Sequence, residues 1–254
     1  MTTPLIQFEL TPITEIQPWM GTEGPCLQWY GLTHGLYWMQ VGDHRLFEYN
    51  VDVVSRHGWP RFCDYQVARL HDDLLQLAPH ALEPVPQELQ PYLEGDWDLN
   101  CKKWSQALGD GDPDLDAIRW MNRRTLDSAY LTPSTNIMVW SKAATTTIQW
   151  DNRLKEFQGA KAWSADNGCW EMSRGEFVNE VRSFHDRLIE QMAERVSLVT
   201  AGALAGQIHV DSEGLIRQQT QEARSISRSF AEPDEPTNWH LVIEAVKSLE
   251  RGEA

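Results

Sequence analysis

The stretch that decides the fold class runs over residues 169–199 and reads CWEMSRGEFVNEVRSFHDRLIEQMAERVSLV. Ser173 and Glu176 have the spacing of a capping box, in which two side chains satisfy free backbone N–H groups at a helix start. From Phe177 to Val199 apolar residues recur every three or four positions, which predicts a long amphipathic helix over 174–200. The residues before it, which end at Met172, predict a strand. The fold therefore contains both kinds of element.

Outward from this stretch, predicted strands occur in two blocks. The first block, about 5–50, has short aromatic strands separated by glycine-containing turns and is typical of a β-meander. The second, about 136–172, contains the hairpin partners Ile137–Trp140 and Thr146–Trp150. Helical spacing predicts further helices over about 64–78, 113–128, 213–230 and 238–250. Because strands and helices come in blocks, the sequence predicts an α+β fold with antiparallel hairpin sheets packed with helices.

The length and composition are those of a folded globular protein. The chain has 254 residues, of which 41% are apolar, and a formal net charge of −15. These values exclude a disordered acidic tail. By length we expect a single domain over 1–254, or two intimate lobes over 1–130 and 131–254. The helix over 64–78 is expected to end at Pro79, and the proline-rich residues after it to form an extended linker.

The sequence also bears on location. The longest uncharged stretch, residues 24–42, contains Pro25 and His34 and is too polar for a membrane span. The N-terminal residues have no basic segment before an apolar one, so we expect no secretory signal. Four cysteines lie far apart without a Cys-x-x-Cys pair, which fits neither a zinc site nor a disulfide framework. We therefore expect a cytoplasmic protein with reduced thiols.

Acidic residues concentrate in the middle of the chain. Residues 64–135 contain 13 acidic and 6 basic side chains, and residues 72–98 contain seven acids without any lysine or arginine. Such a surface repels phosphate backbones, so we expect no nucleic-acid ligand. Complementary potential would attract a basic protein. The alternative is a solvated acidic face that only maintains solubility.

The predicted partner-binding residues lie at the end of this acidic segment. They are the acids Glu94, Asp96 and Asp98 and the tryptophans Trp97 and Trp104. Tryptophan is enriched in protein interfaces, so one interpretation places these two rings on the surface as anchors. The other interpretation assigns them to the core, where most of the twelve tryptophans are expected.

An alternating run of aspartates invites comparison with a calcium loop. Asp110, Asp112, Asp114 and Asp116 occupy the positions of the first ligands. Leu115 stands where the loop needs glycine, and Met121 stands where it needs the closing glutamate. The sequence therefore predicts no metal site here.

Two His-Asp pairs, His71-Asp72 and His185-Asp186, resemble the ligand pairs of metal-dependent phosphohydrolases. A match of two residues recurs by chance, and those enzymes are all-helical, so we expect surface histidines beside acids. The sequence has no nucleophile elbow, phosphate-binding loop, dinucleotide fingerprint or His-Glu-x-x-His motif. It predicts no catalytic residue and no cofactor, and it favours a protein that is not an enzyme.

Short stretches along the whole chain carry a family resemblance. They are Phe8–Ile13, Gln17–Trp19, Leu27–Thr33, Gly35–Trp38, Leu46–Tyr49, Trp163–Ala165 with Gly168, Phe177–Val196 and Thr237–Trp239. In these stretches the chain resembles a bacterial family catalogued as domain of unknown function 5984. The resemblance implies a bacterial, cytosolic protein that forms a single unit. It implies no catalytic residue.

These observations lead to a functional hypothesis: a protein-binding, inhibitory protein of the immunity type that neutralises a basic partner, such as a toxin, through its acidic surface. Two alternatives stay open. One is an enzyme or small-ligand-binding protein with a pocket between the β blocks, lined by tryptophans and histidines. The other is a structural homo-oligomer whose exposed aromatic residues meet.

Overall fold

A computed structural model describes residues 3–21, 24–108, 115–204, 208, 210–230, 233 and 235–251. Its strands are β1 (Ile6–Leu10), β2 (Trp19–Gly21), β3 (Gly24–Cys26), β4 (His34–Val41), β5 (His44–Leu46), β6 (Cys63–Gln66), β7 (Ile137–Lys142), β8 (Thr145–Asp151), β9 (Glu156–Phe157), β10 (Ala160–Lys161) and β11 (Asn167–Ser173). Its helices are α1 (Trp29–Leu32), α2 (Val51–His57), α3 (Val67–Leu82), α4 (Gln90–Glu94), α5 (Trp97–Ala107), α6 (Asp116–Asn122), α7 (Arg174–Thr200), α8 (Ser212–Glu222), α9 (Ile226–Ser229) and α10 (Trp239–Arg251). A 3₁₀ turn spans Ile13–Glu15.

Antiparallel sheets accompany these helices, so the predicted α+β fold is confirmed. The chain divides into two compact units. Unit 1 comprises Met1–Leu75, Glu156–Ala165 and Val178–Ser229, and unit 2 comprises Gln76–Lys155, Asp166–Phe177 and Phe230–Ala254. Each unit is assembled from separate stretches of sequence, whereas lobes over 1–130 and 131–254 would each be continuous.

Unit 1 is built around the central strand β4, which pairs antiparallel with β1, β5 and β6. Alternate residues of β4 are buried, as expected for a sheet with one covered face. Helix α7 packs on that face through a ring contact between Phe8 and Phe184, whose centroids lie 5.6 Å apart. The first predicted β block is thus a sheet, although its segment around Trp29 forms the helical turn α1.

Helix α7 has the predicted bounds, and its capping box is confirmed. The Ser173 N–H donates to Glu176 Oε2 at 2.8 Å, and the Glu176 N–H donates to Ser173 Oγ at 3.1 Å. Further along the helix, the Arg187 guanidinium donates to the Ile6 carbonyl at 2.6 Å. Arg195 donates to the carbonyls of Leu32 and Thr11 at 2.8 and 2.6 Å. These bonds fix the helix to the backbone of unit 1.

Unit 2 contains the three-stranded sheet β11-β8-β7. The predicted hairpin is its β7–β8 pair, with Ala143 at a φ of 48° in the turn. The outer edge of β7 is occupied, because the Val85 N–H donates to the Ser141 carbonyl and the Val139 N–H donates to the Arg124 carbonyl, both at 2.8 Å. Strand β11 forms the opposite edge, and most of its residues are exposed.

Two expectations about the acidic middle of the chain are wrong. Helix α3 continues through Pro79 to Leu82. Pro79 removes one backbone hydrogen bond and crowds one carbonyl, that of Leu75, and both effects are confined to the C-terminal end of the helix. The linker expected after it contains α4 and leads into α5. Helix α5 forms because Asp96 caps its first turn, while Trp97 and Trp104 are seven residues apart and share a helix face.

The remaining predicted helices are confirmed with adjusted bounds. The helix expected over 113–128 is α6, which spans Asp116–Asn122. Its expected start, and Asp110, Asp112 and Asp114 of the aspartate run, lie outside the described residues. Helices α8 and α9 occupy the range 213–230, and α10 occupies 238–250. Within the described part of the chain, no helix has the length and apolar character needed to cross a membrane.

A buried arginine holds the helices of unit 2 together. The Arg124 side chain is fully buried and donates to Glu83 Oε2 and to the Trp120 carbonyl, both at 2.8 Å. Thr237 donates to both carboxylate oxygens of Glu83, through its N–H at 2.9 Å and its hydroxyl at 2.6 Å. The guanidinium also lies 4.8 Å from the ring centroid of Trp239, within cation–π range. Burial lowers the pKa of Arg124 to about 10, although Glu83 opposes this shift.

We expect Glu83→Gln to lower the free energy of unfolding by roughly 3 kcal/mol, because it leaves the Arg124 charge buried without a counter-charge. Glu235→Gln is the matched control, since Glu235 pairs with Arg123 at 2.7 Å on the surface and its loss should change stability by less than about 1 kcal/mol. Urea denaturation of the three proteins measures both changes. Equal effects of the two substitutions would contradict the proposed role of Glu83.

The pH dependence of the same variant gives a second expectation. Burial alone would raise the pKa of Glu83, but hydrogen bonds from Thr237 and the Arg124 charge hold it below the ordinary 4.5. A carboxylate whose pKa is lowered by folding stabilises the protein above its unfolded pKa, and this stabilisation is lost as the pH falls through the folded value. The stability difference between wild type and Glu83→Gln should therefore shrink on acidification below 4.5.

Candidate functional site

The three predicted acids lie close together in unit 2, and each pairs with a base. Glu94, at the end of α4, lies 3.3 Å from Lys142 Nζ. Asp98, in the first turn of α5, pairs with Lys102 and accepts a bond from Asn136 Nδ2 at 3.1 Å. Glu94, Asp96 and Asp98 are thus not free carboxylates, because each is paired with a neighbouring base.

Asp96 has two structural roles as well as its charge. Its Oδ1 accepts the Leu99 N–H at 3.2 Å and caps α5, while its Oδ2 pairs with Arg153 at 3.1 Å. Arg153 also pairs with Asp151 at 2.5 Å, and this hydrogen bond is the main cause that lowers the pKa of Asp151. Arg153 therefore joins the start of α5 to the end of β8.

Trp97 and Trp104 are core residues. Trp97 is 4% exposed and Trp104 is 1% exposed, and both belong to the apolar cluster beneath α5. The Trp104 Nε1–H donates to Glu250 Oε1 at 3.1 Å, which satisfies the donor of a buried indole. The interpretation that placed these two rings on the surface as anchors is wrong, because both occupy the inward face of α5.

The exposed apolar residues beside the acids are two leucines that sequence reasoning missed. Leu99 is 61% exposed and Leu154 is 82% exposed. Both line a groove of about 360 Å³, together with charged residues around its rim. The rim residues are Asp96, Asp98, Lys102, Asp151, Arg153 and Lys155. We call this surface the leucine groove.

A signal for Leu99 is present in the sequence. Leu99 follows Trp97 by two residues, which places it roughly 200° around the helix from the buried tryptophan face. An apolar residue out of phase with the core face of a helix is exposed unless another element covers it. Leu154 carries no such signal, because it lies in the turn after β8 and belongs to no periodic element.

The two His-Asp pairs, which lie far apart in sequence, meet within unit 1. His71 Nε2 lies 2.9 Å from His185 Nδ1, and the two rings stack with centroids 5.2 Å apart. His71 Nδ1 lies 3.3 Å from Asp72 Oδ1, and the Tyr30 hydroxyl donates to the other oxygen of Asp72. The expectation of surface histidines is wrong, because both imidazoles are buried.

The histidine pair can be compared with a metal-ligand set. No group of three or more His, Cys, Asp or Glu side chains suited to a metal ion occurs among the described residues. Burial lowers the pKa of His185, and the neighbouring His71 lowers it further, while Asp186 and a hydrogen bond to the backbone of Ala223 oppose the shift. In this contact, one imidazole ring donates a hydrogen bond to the other.

We expect the His185 pair to make the stability of the protein depend on pH. Because folding lowers the pKa of His185, the stabilisation is present above the ordinary value of 6.5 and is lost as the pH falls below it. In His185→Asn the amide still has a hydrogen-bonding group for His71 but does not titrate, so its urea midpoint should fall less on acidification than that of wild type. The exposed His240, substituted by Gln, is the control and should retain the wild-type dependence. A pH dependence that His185→Asn leaves unchanged would disprove this expectation.

The comparisons with known proteins identify a family. Residues 5–245 match the model of a family described as "Family of unknown function (DUF5984)". No curated protein and no solved structure matches the chain. The matched residues include the segments of the leucine groove and both members of the histidine pair. The resemblance stated from the sequence is therefore confirmed, and the chain belongs to the DUF5984 family, whose description assigns it no activity.

Proposed function

We propose that this chain is a cytoplasmic, bacterial protein-binding protein of the immunity type, which captures a basic protein such as a toxin and blocks it. The observation that carries the proposal is the leucine groove, where Leu99 and Leu154 lie exposed beside Asp96 and Asp98. Exposed apolar residues rimmed by polar ones are typical of protein interaction sites. Two of the three predicted acids, Asp96 and Asp98, thus lie beside exposed apolar residues, although these are leucines and not tryptophans.

The charge of unit 2 supports a basic partner. Its sequence contains 20 acidic and 11 basic residues, which gives a formal charge of −9. Around the leucine groove itself, three acids face three bases, so the local balance provides little net attraction. The field of the whole unit therefore increases the rate of encounter, while burial of the leucines provides most of the affinity.

The double variant Leu99→Ser and Leu154→Ser tests the groove. We expect it to weaken partner binding at least about ten-fold, because central apolar anchors carry much of the binding energy of an interface. The partner is first captured from a lysate of the source organism with wild-type protein, and its affinity for each variant is then measured by calorimetry. Leu241→Ser, which removes an exposed leucine elsewhere in unit 2, should bind as wild type does. Equal affinities of wild type and the double variant, or no protein captured, would contradict the proposal.

The charge effect needs variants that preserve the α5 cap. Asparagine caps helices as well as aspartate does, so Asp96→Asn removes the negative charge and keeps the N-terminal cap of α5. The triple variant Glu94→Gln, Asp96→Asn and Asp98→Asn should slow association several-fold and reduce its salt dependence.

The control for this triple variant changes unit 2 by the same charge at other exposed acids. It carries Glu88→Gln, Asp127→Asn and Glu244→Gln. Stopped-flow mixing measures the association rate of each variant with the partner. If the acids beside the leucine groove are responsible for the charge effect, the control should associate at a rate closer to that of wild type. If both triple variants associate equally slowly, the net charge of unit 2 increases the association rate, and the acids beside the leucine groove have no special role in it.

The same leucines would also be covered if two copies of the chain associated. Sedimentation at increasing concentration separates this structural alternative from capture of another protein. A dimer that disappears in the Leu99→Ser, Leu154→Ser variant would replace the proposed function by self-association. If the protein is monomeric at all concentrations, the proposed capture of another protein stands.

A further inference from the structure

Strand β11 forms one edge of the three-stranded sheet in unit 2, and its ladder to β8 continues one residue beyond each end of the strand. At one end the Asn152 N–H donates to the Asp166 carbonyl at 2.5 Å. At the other end the Arg174 N–H donates to the Ala144 carbonyl at 2.9 Å. Because alternate residues of an antiparallel strand bond to the same neighbour, the even-numbered residues from 166 to 174 bond to β8. The odd-numbered residues direct their backbone groups away from the sheet.

The outward backbone groups in the middle of β11 are those of Cys169 and Glu171. Both residues are exposed, and among the described residues none bonds to their backbone N–H or C=O groups. Trp170, which lies between them, is 40% exposed. The opposite edge of the same sheet is different, because backbone groups of Val85 and Leu126 bond to β7 there. Strand β11 is therefore an open edge in the described part of unit 2.

Strand β11 also lacks the features that protect an open edge. Natural sheets protect such edges with proline, lysine or a bulge, or keep the edge strand very short. The seven residues of β11 include no proline and no lysine, and their register to β8 runs without a bulge. The charge of Glu171 is balanced by Lys142 at 3.3 Å. The edge is thus a template on which another strand can pair.

The symmetry of β11 selects a second copy of this chain as the added strand. With a two-fold axis at Trp170, Cys169 of each copy faces Glu171 of the other, and their backbone groups exchange four hydrogen bonds. The two Trp170 side chains then lie directly opposite each other as a non-hydrogen-bonded pair, in which side chains approach most closely. At both ends of the ladder Asp166 lies opposite Arg174 of the second copy, so the register is complementary in charge.

The neighbouring two-fold registers are less favourable. An axis at Glu171 places two carboxylates of like charge directly opposite each other. An axis at Cys169 places Trp170 opposite Gly168, which has no side chain to pack against the ring. The axis at Trp170 is therefore the register that joins two aromatic rings and opposes unlike charges.

We propose that two copies of this chain associate through β11, antiparallel and with the two-fold axis at Trp170. The two three-stranded sheets become one continuous sheet across this axis. Association pairs the backbone groups of Cys169 and Glu171 that are free in one copy, and it covers the exposed part of both Trp170 rings.

Sedimentation velocity of the full chain over a range of concentrations, with a reducing agent present, tests the association. We expect a reversible equilibrium between monomer and dimer. High salt should shift it toward the dimer, because salt screens the repulsion between two copies of formal charge −15. Monomer alone at every concentration and salt would overturn the proposal.

A proline at position 169 tests whether the edge itself forms the interface. Cys169→Pro removes an N–H that points away from β8, so the ladder to β8 keeps its hydrogen bonds. Because the two-fold axis repeats the loss, we expect the association constant to fall at least about ten-fold. Cys169→Ala keeps the N–H and is the matched control, which should dimerise as wild type does. Equal dimerisation of the two variants, both with wild-type circular dichroism, would overturn the proposal.

Disulfide trapping tests the register without a proline. In a Cys169→Ala background, Trp170→Cys places two thiols at the axis, where the Cα atoms are about 4.5 Å apart and within disulfide range. Met172→Cys lies on the same face of β11 but places the two thiols about 13 Å apart. We expect mild oxidation to yield a covalent dimer of the Trp170→Cys protein and none of the Met172→Cys protein or the background. Every other pattern would overturn the proposed pairing.

This inference does not depend on the proposed protein partner. Leu99 and Leu154 lie outside β11, so the Leu99→Ser, Leu154→Ser variant should dimerise as wild type does. A dimer that this variant loses and Cys169→Pro keeps would overturn the β11 interface. A dimer that this variant keeps leaves the proposed capture of a basic protein to its own binding test, so the two proposals can fail separately.

Discussion

The burial of the Arg124 guanidinium constrains unit 2 more than any single apolar contact, since a charge removed from water needs its partners inside the protein. Those partners come from three places in the sequence: Glu83 follows α3, the Trp120 carbonyl belongs to α6, and Thr237 precedes α10. The Arg124 carbonyl in turn accepts the Val139 N–H of β7. The hydrogen bonds of Arg124 therefore fix the positions of α6, of the residues that follow α3 and precede α10, and of strand β7 relative to one another. The apolar cluster that contains Trp104, Trp120 and Trp140 packs on that arrangement.

In unit 1, buried and partly buried polar side chains are paired with backbone carbonyls or with each other. Arg187 and Arg195 of α7 donate to backbone carbonyls of the sheet and of α1, and the buried His71 and His185 pair with each other. These hydrogen bonds all lie within unit 1. Described interior polar atoms without a hydrogen-bond partner occur in both units, for example Arg187 Nε in unit 1 and Trp120 Nε1 in unit 2.

The acidic character of the chain and its binding surface are separate properties. A high net charge acts over distances comparable to the screening length, whereas affinity depends on groups that lose water at contact. Glu94, Asp96 and Asp98 already bond to bases of the same unit, so they act mainly through the long-range field. The exposed Leu99 and Leu154 are the groups that gain most from being covered. A second groove of unit 2, lined by Trp140 and Lys142 among others, shares Asp151 and Arg153 with the leucine groove.

The sequence by itself determined what depends on a few adjacent residues. The capping box at Ser173, the periodicity of α7 and the β7–β8 hairpin were predicted correctly, because local hydrogen bonds and side-chain phase decide them. Block order also predicted the α+β class. The sequence analysis did not predict α5. Its helical periodicity depends on Trp97 and Trp104, and these two residues could also be interpreted as surface anchors.

Only the tertiary structure decided which side chains are covered and which distant ones meet. Trp97 and Trp104 are buried and Leu99 is exposed, because other elements pack on one face of α5 only. His71 and His185 are 114 residues apart and come into contact through the packing of α7, which no local pattern encodes. The sequence thus determined elements and overall charge, whereas exposure and pairing, on which any binding site depends, required the packing of elements remote in the chain.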